Sequence, residues 1–176
     1  MIEVELRSFL NEEQYQALLS YFQEHGQFVN EEEQETHYFD CDQDLRIQKS
    51  TKGAKVWLKK GNMHDAAREE IEIKVPADDF ANLAKLFAAL NYGVKVKWLR
   101  KRYTFSWQGV SVMLDYTKGY GWIIELEKLV TEGQEVIAHE ELQEKLKILN
   151  ISVSSKEEFE DRYQYYLANW QHLIAD

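Results

Sequence analysis

Met1-Ile2-Glu3-Val4-Glu5-Leu6-Arg7 alternates apolar and charged residues, the period-2 pattern of a β-strand. Ile2, Val4 and Leu6 fall on one face; Glu3, Glu5 and Arg7 fall on the other. A strand that simply leaves its charges in water reads the same way. The pattern gains weight because it recurs. Four segments carry charged residues at i, i+2: Glu3/Glu5, Arg68/Glu70/Glu72, Arg100/Arg102 and Glu125/Glu127. The exposed face of an ordinary sheet would also carry Thr, Ser and Gln in quantity. Here full charges of both signs dominate, so the chain is read as built to assemble charged faces.

The length of 176 residues suits a single domain, 1–176, with a real core. The one cysteine, Cys41, excludes an intramolecular disulfide and fits a reducing compartment. Glu3 and Glu5 stand where a secretion signal would need an apolar run, and no stretch approaches a membrane span. A cytoplasmic location is expected. A net charge of −10 argues against a general binder of nucleic acid or anionic membrane, while leaving room for a local basic pocket. Pro76 is the only proline, and no Gly/Ser-rich linker or solenoid repeat marks a domain boundary.

After the first strand, Asn11-Glu12-Glu13-Gln14 has the spacing of a capping box. Tyr15, Leu18, Leu19 and Phe22 then form an apolar stripe, and Gly26 stops the helix. Glu31-Glu32-Glu33 reads as a solvated acidic turn, and Thr36–Asp40 as a strand in which His37 is a half-buried or surface histidine rather than a metal ligand. Leu45–Gln48 and Lys55–Lys59 read as a hairpin turning near Lys52-Gly53. Ala67–Val75 alternates strongly, with Arg68, Glu70, Glu72 and Lys74 on one side. Asp78 or Asp79 caps a helix with the stripe Phe80, Leu83, Leu86, Phe87 and Leu90. Strands follow at Val94–Phe105, Gly109–Asp115 and Trp122–Glu127, the last two joined by a turn at Gly119-Tyr120-Gly121. Two helices close the chain, one near Glu140–Leu149 and one from Ser155. In the last helix Phe159, Tyr163, Tyr166, Leu167 and Trp170 read as packing residues.

The succession implies an α+β fold with a mainly antiparallel sheet. Such a sheet can close into a barrel whose interior alternates with its exterior, and amphipathic helices would then cover the apolar outside. A charged interior suits one ligand class well. Carboxylates hold a hard divalent cation through oxygen, and Arg and Lys hold phosphate oxygens. Together they fit metal-assisted phosphoryl transfer. No glycine-rich phosphate loop is present, so a phosphate site must be built from side chains.

The ordered motifs resemble those of CYTH-domain proteins, the triphosphate tunnel metalloenzymes, a family with class IV adenylate cyclases, thiamine triphosphatases and inorganic triphosphatases. Glu3-Val4-Glu5-Leu6-Arg7 is similar to the family's Glu-x-Glu-x-Lys, with arginine in the last place. Leu45-Arg46-Ile47-Gln48 is similar to Leu-Arg-Ile-Arg with the second arginine lost, and Leu58-Lys59 to its strand-borne lysine. Arg68-Glu69-Glu70-Ile71-Glu72 matches Arg-x-Glu-x-Glu. Arg100-Lys101-Arg102 is similar to Lys-x-Arg, and Asp115, Gly119-Tyr120-Gly121 and Glu125-Leu126-Glu127 to its Asp, Gly-x-Gly and Glu-x-Glu. The match runs from residue 1 to about residue 130. Lys156, Arg162 and Tyr163 are looser counterparts of a basic residue and tyrosine in the C-terminal part.

The resemblance implies an eight-stranded antiparallel β-barrel, or tunnel, with flanking helices. Glu3, Glu5, Asp115, Glu125 and Glu127 would hold Mg²⁺ or Mn²⁺. Arg7, Arg46, Lys59 and Arg102 would grip a triphosphate, with Arg68 and Arg100 in support. Glu70 and Glu72 would orient these bases or contact a second metal. Glu5, Arg7 and Glu127 would stand closest to the chemistry. The implied activity is metal-dependent hydrolysis of inorganic triphosphate or an organic or nucleoside triphosphate. A class IV-like adenylate cyclase and a non-catalytic polyphosphate- or nucleotide-binding module are the alternatives, the latter favoured by Arg7 and Gln48. The expected partner is a triphosphate-containing small molecule, with no nucleic acid and no membrane. Tyr163, Tyr166 and Trp170 are left either to pack on the barrel or to form a homodimer contact.

Overall fold

The alternating N-terminal stretch forms β1 (Ile2–Leu10), and the capping box then starts α1 (Glu12–His25). The computed structural model describes residues 2–59 and 70–175, with the backbone alone for Lys59 and Glu70. Next come β2 (Gln27–Phe39), β3 (Asp44–Ser50), β4 (Gly53–Lys59) and β5 (Glu70–Val75). A short 3-10 turn (Ala77–Asp79) leads into α2 (Phe80–Ala89). The rest is β6 (Val94–Trp107), β7 (Val110–Thr117), β8 (Gly121–Val130), α3 (Glu135–Ile148) and α4 (Lys156–Leu173). The eight strands form one sheet in the order β1-β8-β7-β6-β2-β3-β4-β5. Among the described residues no ladder of hydrogen bonds joins β1 to β5, so the expected barrel is not closed by strand pairing.

The chain divides into two compact units. The first contains 1–31 and 101–165, and the second contains 32–100 and 166–176. β2, β6 and α4 each run from one unit into the other.

In the first unit the helix-covered face of β1, β8 and β7 carries Val4, Leu6 and Leu10, Leu126 and Ile124, and Val112 and Leu114. Tyr15, Leu18 and Phe22 of α1 and Leu142 and Leu146 of α3 pack onto it. Asn11 accepts from the Gln14 backbone N–H at 2.8 Å, and Gln14 Oε1 accepts from the Asn11 N–H at 2.9 Å. This box fixes where the helix leaves the strand. Asn11→Ala should cost about 1 kcal/mol, seen as a lower denaturant midpoint at unchanged m-value. Gly26 ends α1 in an extended conformation, φ −104°. Its glycine is required by close approach: a Cβ there would lie 2.9 Å from the Phe22 carbonyl oxygen.

In the second unit Phe39, Ile47, Ala54 and Phe80 form the core, with Val56, Val75, Leu83 and Phe87 packed against it.

Several expected boundaries move. Glu31-Glu32-Glu33 is not a turn but the middle of β2, which the sheet holds between β6 and β3. Glu31 pairs with Lys101 at 2.8 Å, and Glu32 with Lys52 at 2.7 Å. Asp79 makes no side-chain cap, since the 3-10 turn before it already holds it at φ −80°, ψ −6°. Of the α2 stripe, Phe80, Leu83 and Phe87 face the core, while Leu86 and Leu90 are exposed. α3 begins at Glu135, before the expected start near Glu140; exposed Val136 and Ile137 hide the helical period there. His37 is buried, donating through Nε2 to the Glu35 carboxylate at 2.7 Å and packed against Phe80.

Candidate active site

The antiparallel register sets which charges share a face. Glu5 lies opposite Glu127, and Arg7 opposite Glu125. On β7, Ser111 pairs with Glu127 and Met113 with Glu125, which puts Asp115 two residues further along the same face. The face therefore carries Glu3, Glu5 and Arg7 from β1, Glu125 and Glu127 from β8, and Asp115 from β7. All of them alternate with the apolar positions under α1 and α3, so the strand period separates charge from core.

Arg102 of β6 completes this face. It donates through Nε to Asp115 Oδ1 at 2.7 Å and through Nη2 to Oδ2 at 2.6 Å, with Glu125 at 3.2 Å. Asp115 is only 3% exposed. Burial opposes the charge on Arg102, but the hydrogen bonds and charge of Asp115, with Glu125 beside it, hold the guanidinium protonated above its ordinary range. Burial pushes the Glu125 carboxyl up; Arg102 pulls it down, and Glu5 and Asp115 add to the rise. Burial also raises Glu127, and the neighbouring Glu3 and Glu5 raise it further. Arg7 reaches Glu5 at 3.3 Å and lies over the Phe159 ring at 5.4 Å. Its side chain is 50% exposed, so it is presented to solvent rather than locked in the sheet.

In the second unit, Tyr38, Arg46, Trp57 and Glu72 follow one another across β2, β3, β4 and β5. Arg46 forms a two-pronged bond to Asp44 at 2.6 and 2.5 Å and stacks 4.5 Å from the Tyr38 ring. Lys55 sits 4.2 Å from the Trp57 ring centroid and donates to Glu72 at 2.8 Å. Gln48, where the family pattern has arginine, donates to Thr36 at 3.0 Å. Arg100 donates to Gln34 Oε1 at 2.9 and 2.6 Å.

The structure thus brings together Glu3, Glu5, Arg7, Arg102, Asp115, Glu125 and Glu127 in the first unit. Arg46, Arg100 and Glu72 share the charged face of the second. Lys59 is opposite Glu70 in the backbone ladder, and Arg68 lies outside the described residues. The sequence sets Lys55 and Trp57 on the same face as Lys59 but does not make them, or Asp44, site residues. Their alternation with Leu45, Ala54, Val56 and Leu58 was available; their contacts with Arg46 and Glu72 depend on register. Of the C-terminal candidates, Arg162 is 4.1 Å from the Phe9 ring centroid, on the first unit, and pairs with Glu158 at 2.9 Å. Lys156 is the first residue of α4 and is exposed.

Asp115 and Arg102, expected to serve metal and substrate separately, are one ion-paired group. Among the described residues no three carboxylate, imidazole or thiol groups stand as a ready-made metal cluster. The donor chemistry nevertheless fits a hard cation. All five candidate ligands offer oxygen; burial raises the Glu127 carboxyl first, and the further rise from Glu3 and Glu5 reflects negative charge gathered on this face that a divalent ion would offset. None of the described helices is long and apolar enough to cross a membrane.

The fold is shared with solved structures. A conserved hypothetical protein from Pyrococcus furiosus is similar at 24% identity and TM-score 0.66, covering 85% of this chain and 91% of its own. The PH1819 protein of Pyrococcus horikoshii is similar at 27% identity and TM-score 0.63, covering 86% and 92%. The adenylyl cyclase candidate HpAC1 from Hippeastrum, described as having a dominant triphosphatase activity, is similar at 20% identity and TM-score 0.60, covering 88% and 91%. No curated protein matches. The CYTH domain model matches residues 1–161, across the strands that carry Glu3, Glu5, Arg102, Asp115, Glu125 and Glu127, and the chain belongs to the CYTH domain family.

Proposed function

We propose that this protein is a divalent-metal-dependent triphosphate hydrolase acting on inorganic triphosphate or an organic or nucleoside triphosphate. The CYTH family contains triphosphatases and adenylate cyclases, and its members depend on a divalent metal. The observation that carries the reading is the face on which Glu5 opposes Glu127 and Arg102 is held between Asp115 and Glu125. The dominant triphosphatase activity described for the Hippeastrum neighbour favours hydrolysis over cyclisation.

In this reading Glu3, Glu5, Asp115, Glu125 and Glu127 would hold Mg²⁺ or Mn²⁺. When bound, the ion supplies Lewis-acid polarisation of a phosphoryl oxygen and an acidified water. Arg102 is kept charged and in place by Asp115, so it stabilises negative charge without reorganising. Arg7, half exposed beside Glu5, would reach a phosphate from this face, and as arginine it offers charge and a fork of donors but no proton. The resemblance implies that Arg46, Lys59, Arg68 and Arg100 would be further substrate contacts; Glu72 accepts a hydrogen bond from Lys55 at 2.8 Å. For Glu70 a supporting role is what the resemblance implies.

The test is phosphate release from inorganic triphosphate and from ATP with Mg²⁺ or Mn²⁺. Turnover of at least one of them, abolished by a chelator and restored by the ion, is the expected result. Cyclic AMP as the main product from ATP would replace the hydrolase with the cyclase reading. Tight triphosphate binding with no product would replace it with the binding module.

A further inference from the structure

Behind the charged face, at the far end of β1, lies a cavity of about 820 Å³ within the first unit. Leu10, Trp122 and Tyr116 stand in a row across β1, β8 and β7. They are on the opposite side of the strands from Glu5, Glu127 and Asp115, because each is an odd number of residues away. The Tyr116 and Trp122 rings lie side by side at 5.4 Å and 33°, and Tyr116 is 37% exposed. A pair of aromatic rings open to a cavity of this size is a surface for another flat ring.

The polar groups on the rim offer donors. Asn11 and Gln14 line the cavity, and the capping box commits both of their side-chain oxygens to backbone N–H groups. What each side chain has left to offer is its amide N–H₂. Arg162, also in the lining, uses Nη2 on Glu158 and retains other N–H donors. Because Glu158 lies next to Arg162, the rim has no net positive charge from this pair, so an anion is not the required feature. A flat ring bearing acceptor nitrogens or carbonyls is.

We propose that this cavity is an accessory site for the heteroaromatic ring of a nucleoside or nucleotide, stacked against Tyr116 and Trp122 and read by the amide N–H groups of Asn11 and Gln14. Tyr116 and Trp122 lie on the opposite side of the strands from the carboxylates, while Phe9 and Arg162 of the same lining border the charged face, and the ring site does not depend on the hydrolase reading.

Titration calorimetry with adenosine, in the absence of divalent metal, tests it. Adenosine has no phosphate for the cation set to hold. One saturable isotherm is expected, weakened about tenfold by Trp122→Ala through loss of stacking. Asn11→Asp and Gln14→Glu are the second arm. Asp caps as well as Asn, and Glu closes a capping box as Gln does, so both variants keep α1 while replacing an N–H donor with an acceptor. Together they should weaken adenosine about tenfold, about threefold for each hydrogen bond lost. No saturable binding, or binding that this double variant leaves unchanged, overturns the site whatever becomes of Trp122→Ala. Competition by ribose, which lacks the ring, would show that the sugar and not the ring is what the protein holds, and would also overturn it.

Discussion

Glu127→Gln lowers metal-dependent phosphate release from inorganic triphosphate by about a hundredfold or more, roughly 2.7 kcal/mol of transition-state stabilisation, and leaves the thermal midpoint unchanged or slightly higher. The two halves of this expectation have one cause. Glu127 faces Glu5 across the ladder, and its carboxyl is pushed up by burial and by the charges of Glu3 and Glu5. A carboxylate kept ionised beside two others makes the folded state bear a repulsion, and the isosteric amide removes it. Such a cluster makes physical sense where a cation is to be held. Glu5→Gln should behave in the same way. Activity measured alongside a melting curve checks both, since an ordinary surface glutamate would change neither by more than a few tenths of a kcal/mol. Loss of activity together with a large loss of stability would mean that Glu127 serves the fold, and retained activity would remove it from the site.

Asp115→Ala is the opposite case, with about 3 kcal/mol lost from stability. Asp115 is buried and takes both prongs of Arg102, so truncation leaves a guanidinium in a low-dielectric place with only Glu125 at 3.2 Å. A chain of this length loses roughly 2–4 °C for each kcal/mol, so the thermal midpoint should fall by about 6–12 °C. The double variant Arg102→Met/Asp115→Leu should recover most of that loss, because removing both charges avoids an orphaned one. It should show no triphosphate turnover. Recovered stability without activity would separate the ion pair's contribution to the fold from its task in the site. A double variant as unstable as Asp115→Ala would show that packing, rather than charge pairing, holds this part of the sheet. Surface pairs such as Lys147 with Glu144, both largely exposed, should change stability very little when broken.

The period-2 alternation in Glu3-Val4-Glu5-Leu6-Arg7 and Trp122–Glu127 was enough to assign strands and to sort their charges onto one face, because a strand's side chains alternate whatever it pairs with. The capping box at Asn11 and Gln14 was equally legible, being local chemistry over four residues. The α2 stripe was legible only in part: its period was right, but Leu86 and Leu90 needed a neighbour that the second unit does not place over them. The acidic run in β2 is a strand because β2 lies between β6 and β3 in the sheet, a pairing that local sequence does not show; Lys101 and Lys52, both distant in sequence, then meet Glu31 and Glu32.

Local pattern therefore accounts for the strands, most helices and the identity of the charged side chains, all of which follow from the period of the backbone and the order of residues. Pairing is another matter. That Glu5 faces Glu127, that Arg102 closes on Asp115 instead of standing free, and that Arg46 is held by Asp44 and Tyr38 depend on register between segments and on burial. So does the aromatic cavity behind β1, whose Trp122 and Tyr116 are a residue type in sequence and a surface only in three dimensions. Charge type is a property of a residue, whereas a carboxylate's pKa and an arginine's partner are properties of what surrounds it.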